Sequence, residues 1–113
     1  MADWEVAVQA ARSRKAEDVV VLNIQEVSSF TDQFVICTGT NQRQVQSIAD
    51  AIEMALKEEG VRPIGVEGYN NGGWVLLDYG DFVAHVFSSE ARVFYNLERL
   101  WKNAPRIPVP EAA

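Results

Sequence analysis

Several places in this chain hold residue types that can do chemistry, and each also has a purely structural reading. His85 is the sole histidine and lies inside Phe82-Val83-Ala84-His85-Val86-Phe87. A catalytic base needs a nucleophile beside it, and a metal site needs further ligands. No other His and no Cys lies near it in sequence, so a packed, hydrogen-bonded histidine fits that apolar run better. Asp78 and Asp81 sit on either side of a turn. Paired carboxylates can bind magnesium or exchange protons, but aspartate is also common in turns for its local backbone bonds. Gly68 to Gly73 is rich in glycine but lacks Walker or dinucleotide-binding spacing and precedes a strand, so it reads as a mobile loop. Gly39-Thr40 stands between a strand and a helix, where a phosphate can meet a helix N-terminus; such turns are frequent and the signal is weak. Cys37 belongs to the apolar run Phe34-Val35-Ile36-Cys37 and reads as buried packing.

One constellation points to recognition instead. Strand alternation places Trp74, Leu76 and Asp78 on one face and Val75, Leu77 and Tyr79 on the other. An aromatic anchor, an aliphatic neighbour and an acid make a patch suited to a basic partner. The competing reading, Trp74 as an ordinary core tryptophan, stays open on spacing alone.

The elements that must position these residues can be read from periodicity. Asp3 to Lys15 predicts a helix with Trp4, Ala7, Val8 and Ala11 on one face. Val19 to Leu22 predicts a strand covered on both sides. Gln33 to Thr38 predicts another, and Thr40 or Asn41 can cap the helix that follows. That helix carries Val45, Ile48, Ala49, Ile52 and Leu56 on one stripe and stops at Gly60. Arg62 to Val66 is a candidate strand, joined to the Gln33 strand by a right-handed crossover if the two are parallel. Trp74 to Tyr79 and Phe82 to Phe87 are antiparallel neighbours through the tight turn Gly80-Asp81. Ser88 or Ser89 caps a last helix, with Val93, Leu97, Leu100 and Trp101 as its stripe, widened by Phe94. The expectation is a single α/β domain over residues 1–103, a mixed sheet with flanking helices, and an extended, poorly ordered tail over 104–113 that contains Pro105, Pro108 and Pro110.

The chain has 113 residues, enough for one domain that folds without disulfides or metal. One cysteine closes no intramolecular disulfide, and no zinc spacing occurs. No segment approaches the roughly 20 apolar residues of a membrane span. The N-terminus lacks a signal-peptide layout, which suggests a soluble protein of a reducing compartment, most simply a bacterial cytoplasm. A net charge of −6 argues against holding nucleic acid by its phosphates and permits a basic protein partner.

Read together, several stretches resemble the Iojap-related ribosomal silencing factor family. They are Val27 to Ile36, Gly39 to Val45, Glu67-Gly68, Trp74 to Phe87 and Glu90 to Trp101, in one register from about Asp18 to Trp101. Phe30, Cys37 and Ala84 depart from residues that relatives often carry, which implies local packing variation. The resemblance implies an α/β fold similar to nucleotidyltransferases, without that chemistry. This sequence has no Asp-x-Asp of the kind two-metal transfer needs. It also implies a non-enzymatic protein, with no cofactor, that binds the fourteenth-numbered protein of the large ribosomal subunit. There it would block joining of the small subunit and lower translation when nutrients are short. Trp74, Leu76 and Asp78, with Tyr79 adjacent, match the family stretch associated with that contact. Little direct nucleic-acid binding, no membrane, and a monomer or weak homodimer complete the expectation. A role in large-subunit assembly would use the same surface.

Overall fold

The computed structural model describes residues 1–109. A long amphipathic helix provides the clearest link from sequence to packing. Asn41 caps it by accepting from the Gln44 N–H at 2.8 Å, and it runs as α2. With α1 (Asp3–Ser13) before it, α2 (Gln42–Glu58) covers one face of the sheet. The predicted stripe is the buried one: Val45, Ile48, Ala49, Ile52 and Leu56 are all fully enclosed. Gly60, at φ +79°, ends the helix in a conformation that glycine adopts without strain.

The strands are β1 (Glu17–Asn23), β2 (Gln33–Gly39), β3 (Gly65–Glu67), β4 (Trp74–Asp78), β5 (Phe82–Ser88) and β6 (Arg106–Ile107). They form one mixed sheet in the order β3-β4-β5-β2-β1-β6. Among the described residues only β2 and β5 pair in parallel; the other pairings are antiparallel. The near-continuous apolar run of β5 fits its central place, with both faces covered. After α2 the chain does not return beside β2. It goes to the far edge, with β4 and β5 lying between β3 and β2. The Arg62 strand is also shorter than expected, since Pro63 has no N–H to give and pairing begins at Gly65.

Two further differences concern the C-terminal part. The predicted last helix is two: α3 (Ser89–Tyr95) and α4 (Leu97–Leu100), separated by Asn96 in the left-handed region at φ 45°. Asparagine tolerates that region and ends helices there. A stripe counted through such a break no longer lies on one side. Leu97 and Trp101 pack on the sheet, whereas Val93, Phe94 and Leu100 are left exposed. The expected loose tail is also paired in part. Pro105 O accepts from Asn23 N–H at 2.8 Å, and Arg106–Ile107 extends the sheet beside β1, so the domain runs past residue 103. The part of that expectation that falls on 110–113 lies outside the described residues.

The sheet divides the core in two. Val21, Val35, Cys37, Val75, Leu77, Ala84 and Val86 face α1 and α2. Leu22, Phe34, Ile36, Val83 and Phe87 face the other way, toward α3 and α4. Arg92 fastens α3 there: Nε donates to Glu98 at 2.8 Å and Nη1 to Thr38 Oγ1 at 2.8 Å.

The Gly68–Gly73 loop, which leads into β4, is anchored to α2. Gln42 Nε2 donates to Asn70 O at 3.0 Å, Gln46 Nε2 to Tyr69 O at 2.8 Å, and the Tyr69 hydroxyl to Asp50 at 3.0 Å. Gly68 has φ +80°, and a Cβ there would lie 2.1 Å from the Trp74 carbonyl oxygen, whereas a Cβ on Gly73 would meet nothing within 4 Å. Gly68→Ala is therefore expected to destabilise the protein by about 2 kcal/mol or more in denaturant melts, with Gly73→Ala near neutral. Equal stability of the two variants would contradict this account of the loop.

Candidate functional site

Alternation along β4 governs the site. Trp74, Leu76 and Asp78 are half-buried and share the face toward α3 and α4, while Val75 and Leu77 are fully buried on the opposite face. Across the hairpin Trp74 pairs with Phe87, Leu76 with His85 and Asp78 with Val83. The edge strand β3 reaches only as far as Leu76, so Trp74 lies beyond its end. There Trp74 is flanked by Phe87 at 5.0 Å and by Tyr95 of α3 at 4.5 Å between ring centroids.

The structure brings three of the residues predicted from sequence together and separates the fourth. Tyr79 lies on the opposite side, 9% exposed, with its ring stacked on Phe82 at 5.0 Å. Burial pushes its phenol up to about 12, and its hydroxyl has no hydrogen-bond partner among the described residues. The reason is the strand period: Tyr79 is an odd number of residues from Asp78, Leu76 and Trp74. Asp78 is turned partly to the hairpin, accepting from the Gly80 N–H at 2.9 Å.

Neighbours not evident from sequence enlarge the surface. Glu67 pairs directly with Leu76, and directly paired residues project to the same face, so an exposed carboxylate borders Leu76. Tyr95 and Phe94 meet edge to face at 5.0 Å, and Phe94 is 80% exposed. Their part in the surface depends on the break at Asn96, which no periodicity announces. The result is an aromatic and aliphatic surface bordered by Glu67 and Asp78. Exposed Arg99 lies beside Phe94, Tyr95 and Leu100 at the helix end, so the acidic border is on the β3–β4 side, where it suits contact with a basic macromolecule.

The other candidates resolve differently. His85 is 4% exposed. Its Nδ1 accepts from the Trp74 indole Nε1–H at 3.1 Å, and Nε2 has no partner among the described residues. Burial lowers its pKa to about 4, so it is neutral near pH 7. Cys37 is 1% exposed, and burial pushes its thiol up to about 12, which leaves it protonated and unreactive. At Gly39-Thr40 the Gln44 side chain occupies the place a phosphate would take: its Oε1 accepts from the Thr40 N–H at 2.6 Å and hydroxyl at 2.7 Å. Among the described residues no group of three or more His, Cys, Asp or Glu is placed to hold a metal ion. No described helix is long and apolar enough to cross a membrane.

Residues 2–113 match the family described as "Ribosomal silencing factor during starvation". The chain is 44% identical over 103 residues to a protein of Halalkalibacterium halodurans named ribosomal silencing factor RsfS, covering 91% of this chain and 88% of that one. A crystal structure of a Chromobacterium violaceum protein superposes with a TM-score of 0.86 at 33% identity, over all of this chain and 96% of the other. A mouse protein named "Mitochondrial assembly of ribosomal large subunit protein 1" is 29% identical over 102 residues, covering 88% of this chain and 45% of its own length.

The buried histidine gives a pH signature. Unfolded, His85 binds a proton below about 6.5; folded, only near 4. Between these values the unfolded chain holds more protons, so stability falls as pH drops through that window, by on the order of 3 kcal/mol from this group. Denaturant melts from pH 7 to 4.5 should show that loss, and His85→Phe should flatten it. Identical pH slopes in the two proteins would mean that His85 titrates normally.

Proposed function

We propose that this chain, which belongs to the ribosomal silencing factor family, docks on the large ribosomal subunit and keeps the small subunit from joining. The partner in this reading is the fourteenth-numbered protein of the large subunit, and the contact is made by Trp74, Leu76 and Asp78 with Glu67 and Tyr95 around them. The cell then lowers translation when nutrients are short, and the protein acts in the cytoplasm without catalysis. The observation that carries this reading is the half-buried Trp74 at the open end of a sheet face, with carboxylates at its border.

Physical considerations support an interface at this place. A tryptophan that is wedged between rings yet partly exposed gives up large apolar area on docking and little side-chain freedom. Exposed Phe94 and Leu100 add apolar surface nearby, more than isolated surface residues would. The carboxylates, within a chain of net charge −6, speed and orient encounter with a basic protein. Blocking by occupancy needs no pocket, metal or cofactor.

The name of the mouse relative favours a second reading, in which the same surface serves large-subunit assembly. The two readings separate in one experiment. Purified protein is sedimented with isolated large subunits, and small subunits are then added. Retention with failure of joining supports the blocker; retention with normal joining supports assembly; no retention removes both.

Two substitutions test the surface. Trp74→Ala should weaken binding to large subunits by about 2 kcal/mol or more while cooperative melting is retained. Asp78→Lys should slow association and reduce its salt dependence. Wild-type binding by both variants would place the contact elsewhere on the molecule.

A further inference from the structure

We propose that His85 is the positioning residue of this docking surface, holding the Trp74 indole so that only hydrocarbon is presented to the partner. The inference rests on the docking reading above and adds to it the residue that sets the anchor's orientation. Indole has one polar atom, Nε1, and it can only donate. That atom is committed to His85 Nδ1 at 3.1 Å. The edge of Trp74 left for a partner is therefore entirely C–H.

The bond also settles the tautomer. Because Nδ1 accepts, the proton of the neutral imidazole sits on Nε2. Nε2 is buried and has no hydrogen-bond partner among the described residues. Phe34 closes over the imidazole in a T-shaped contact at 4.6 Å. An unsatisfied buried donor is costly, and a leucine or valine would fill a central strand without it. Filling the strand thus gives no reason for histidine at this position, whereas the acceptor it offers the Trp74 indole does. β3 ends short of Trp74, and the rings of Phe87 and Tyr95 that flank it make apolar contacts without the direction of a hydrogen bond. His85, diagonal to Trp74 across the hairpin, supplies the one directional bond to its side chain.

The test is a double-mutant cycle read as binding to isolated large ribosomal subunits. His85→Phe keeps a ring of similar shape and removes the acceptor. It should weaken binding about tenfold when Trp74 is present. In a Trp74→Phe background, where no indole N–H remains, it should change binding by less than about twofold. The Trp74 indole cross-peak in a nitrogen–proton NMR spectrum should move upfield in His85→Phe. His85→Asn, with an acceptor oxygen near the place of Nδ1, should restore both the peak position and most of the affinity. Equal losses in both backgrounds, or an indole signal unmoved in His85→Phe, would overturn the proposal. If His85→Phe melts below the assay temperature, His85→Leu takes its place in the cycle: a loss of about tenfold with Trp74 present and of less than about twofold in Trp74→Phe supports tethering, and equal losses overturn it. Trp74→Ala measured alongside keeps the two readings apart. If it binds as wild type, the docking reading itself fails; if it loses binding while the cycle is additive, only the role of His85 falls.

Discussion

The pairing of β4 with β5 decides which side chains of β4 reach solvent. Gly80, at φ +84°, forms with Asp81 a two-residue turn closed by the Tyr79 N–H on Phe82 O at 3.0 Å. That turn sets Trp74 opposite Phe87 and Leu76 opposite His85. A slip of one residue would turn Val75 and Leu77 out of the core and bring Trp74, Leu76 and Asp78 into it. Burial of those two residues, both at 0% exposure, resists the slip. The split of the core, the makeup of the exposed face, and the place of Tyr79 beneath it follow from this one register.

The two faces of the sheet are covered unequally, and the proposed function depends on that. One face carries α1 and α2, which contribute many fully buried side chains. The other carries α3 and α4, which contribute none. Arg92, bonded to both Glu98 and Thr38, fastens the short helices where apolar burial is modest; the hydrogen bond from Arg92 holds the Glu98 carboxyl below its usual range. The arrangement leaves aromatic surface at the rim instead of enclosing it. A second protein would complete the layer, in the way helices complete the first face.

Much of this was legible in the sequence because it rests on local periods. The stripe of α2, the tight turn at Gly80, and the alternation of Trp74, Leu76 and Asp78 each need only a few neighbouring residues to read. What escaped depends on contacts distant in sequence or on single backbone states. Asn96 enters the left-handed region, and the stripe expected through Phe94 and Leu100 dissolves into exposed residues. The Gly68–Gly73 loop looked mobile because its anchors, Gln42, Gln46 and Asp50, lie far back on α2. Pairing of Arg106–Ile107 with β1 joins opposite ends of the chain. Tyr79 is instructive in another way. Alternation already assigned it to the face of Val75 and Leu77, and only family resemblance placed it with the surface. The structure follows the alternation.

Hydrogen exchange, compared between the free protein and the protein bound to isolated large ribosomal subunits, reads directly which face of the sheet docks. Docking through this face adds protection over Glu67 and residues 74–78, and over α3, with α1 and α2 unchanged. Protection confined to α1 and α2, with residues 74–78 exchanging as in the free protein, would contradict it.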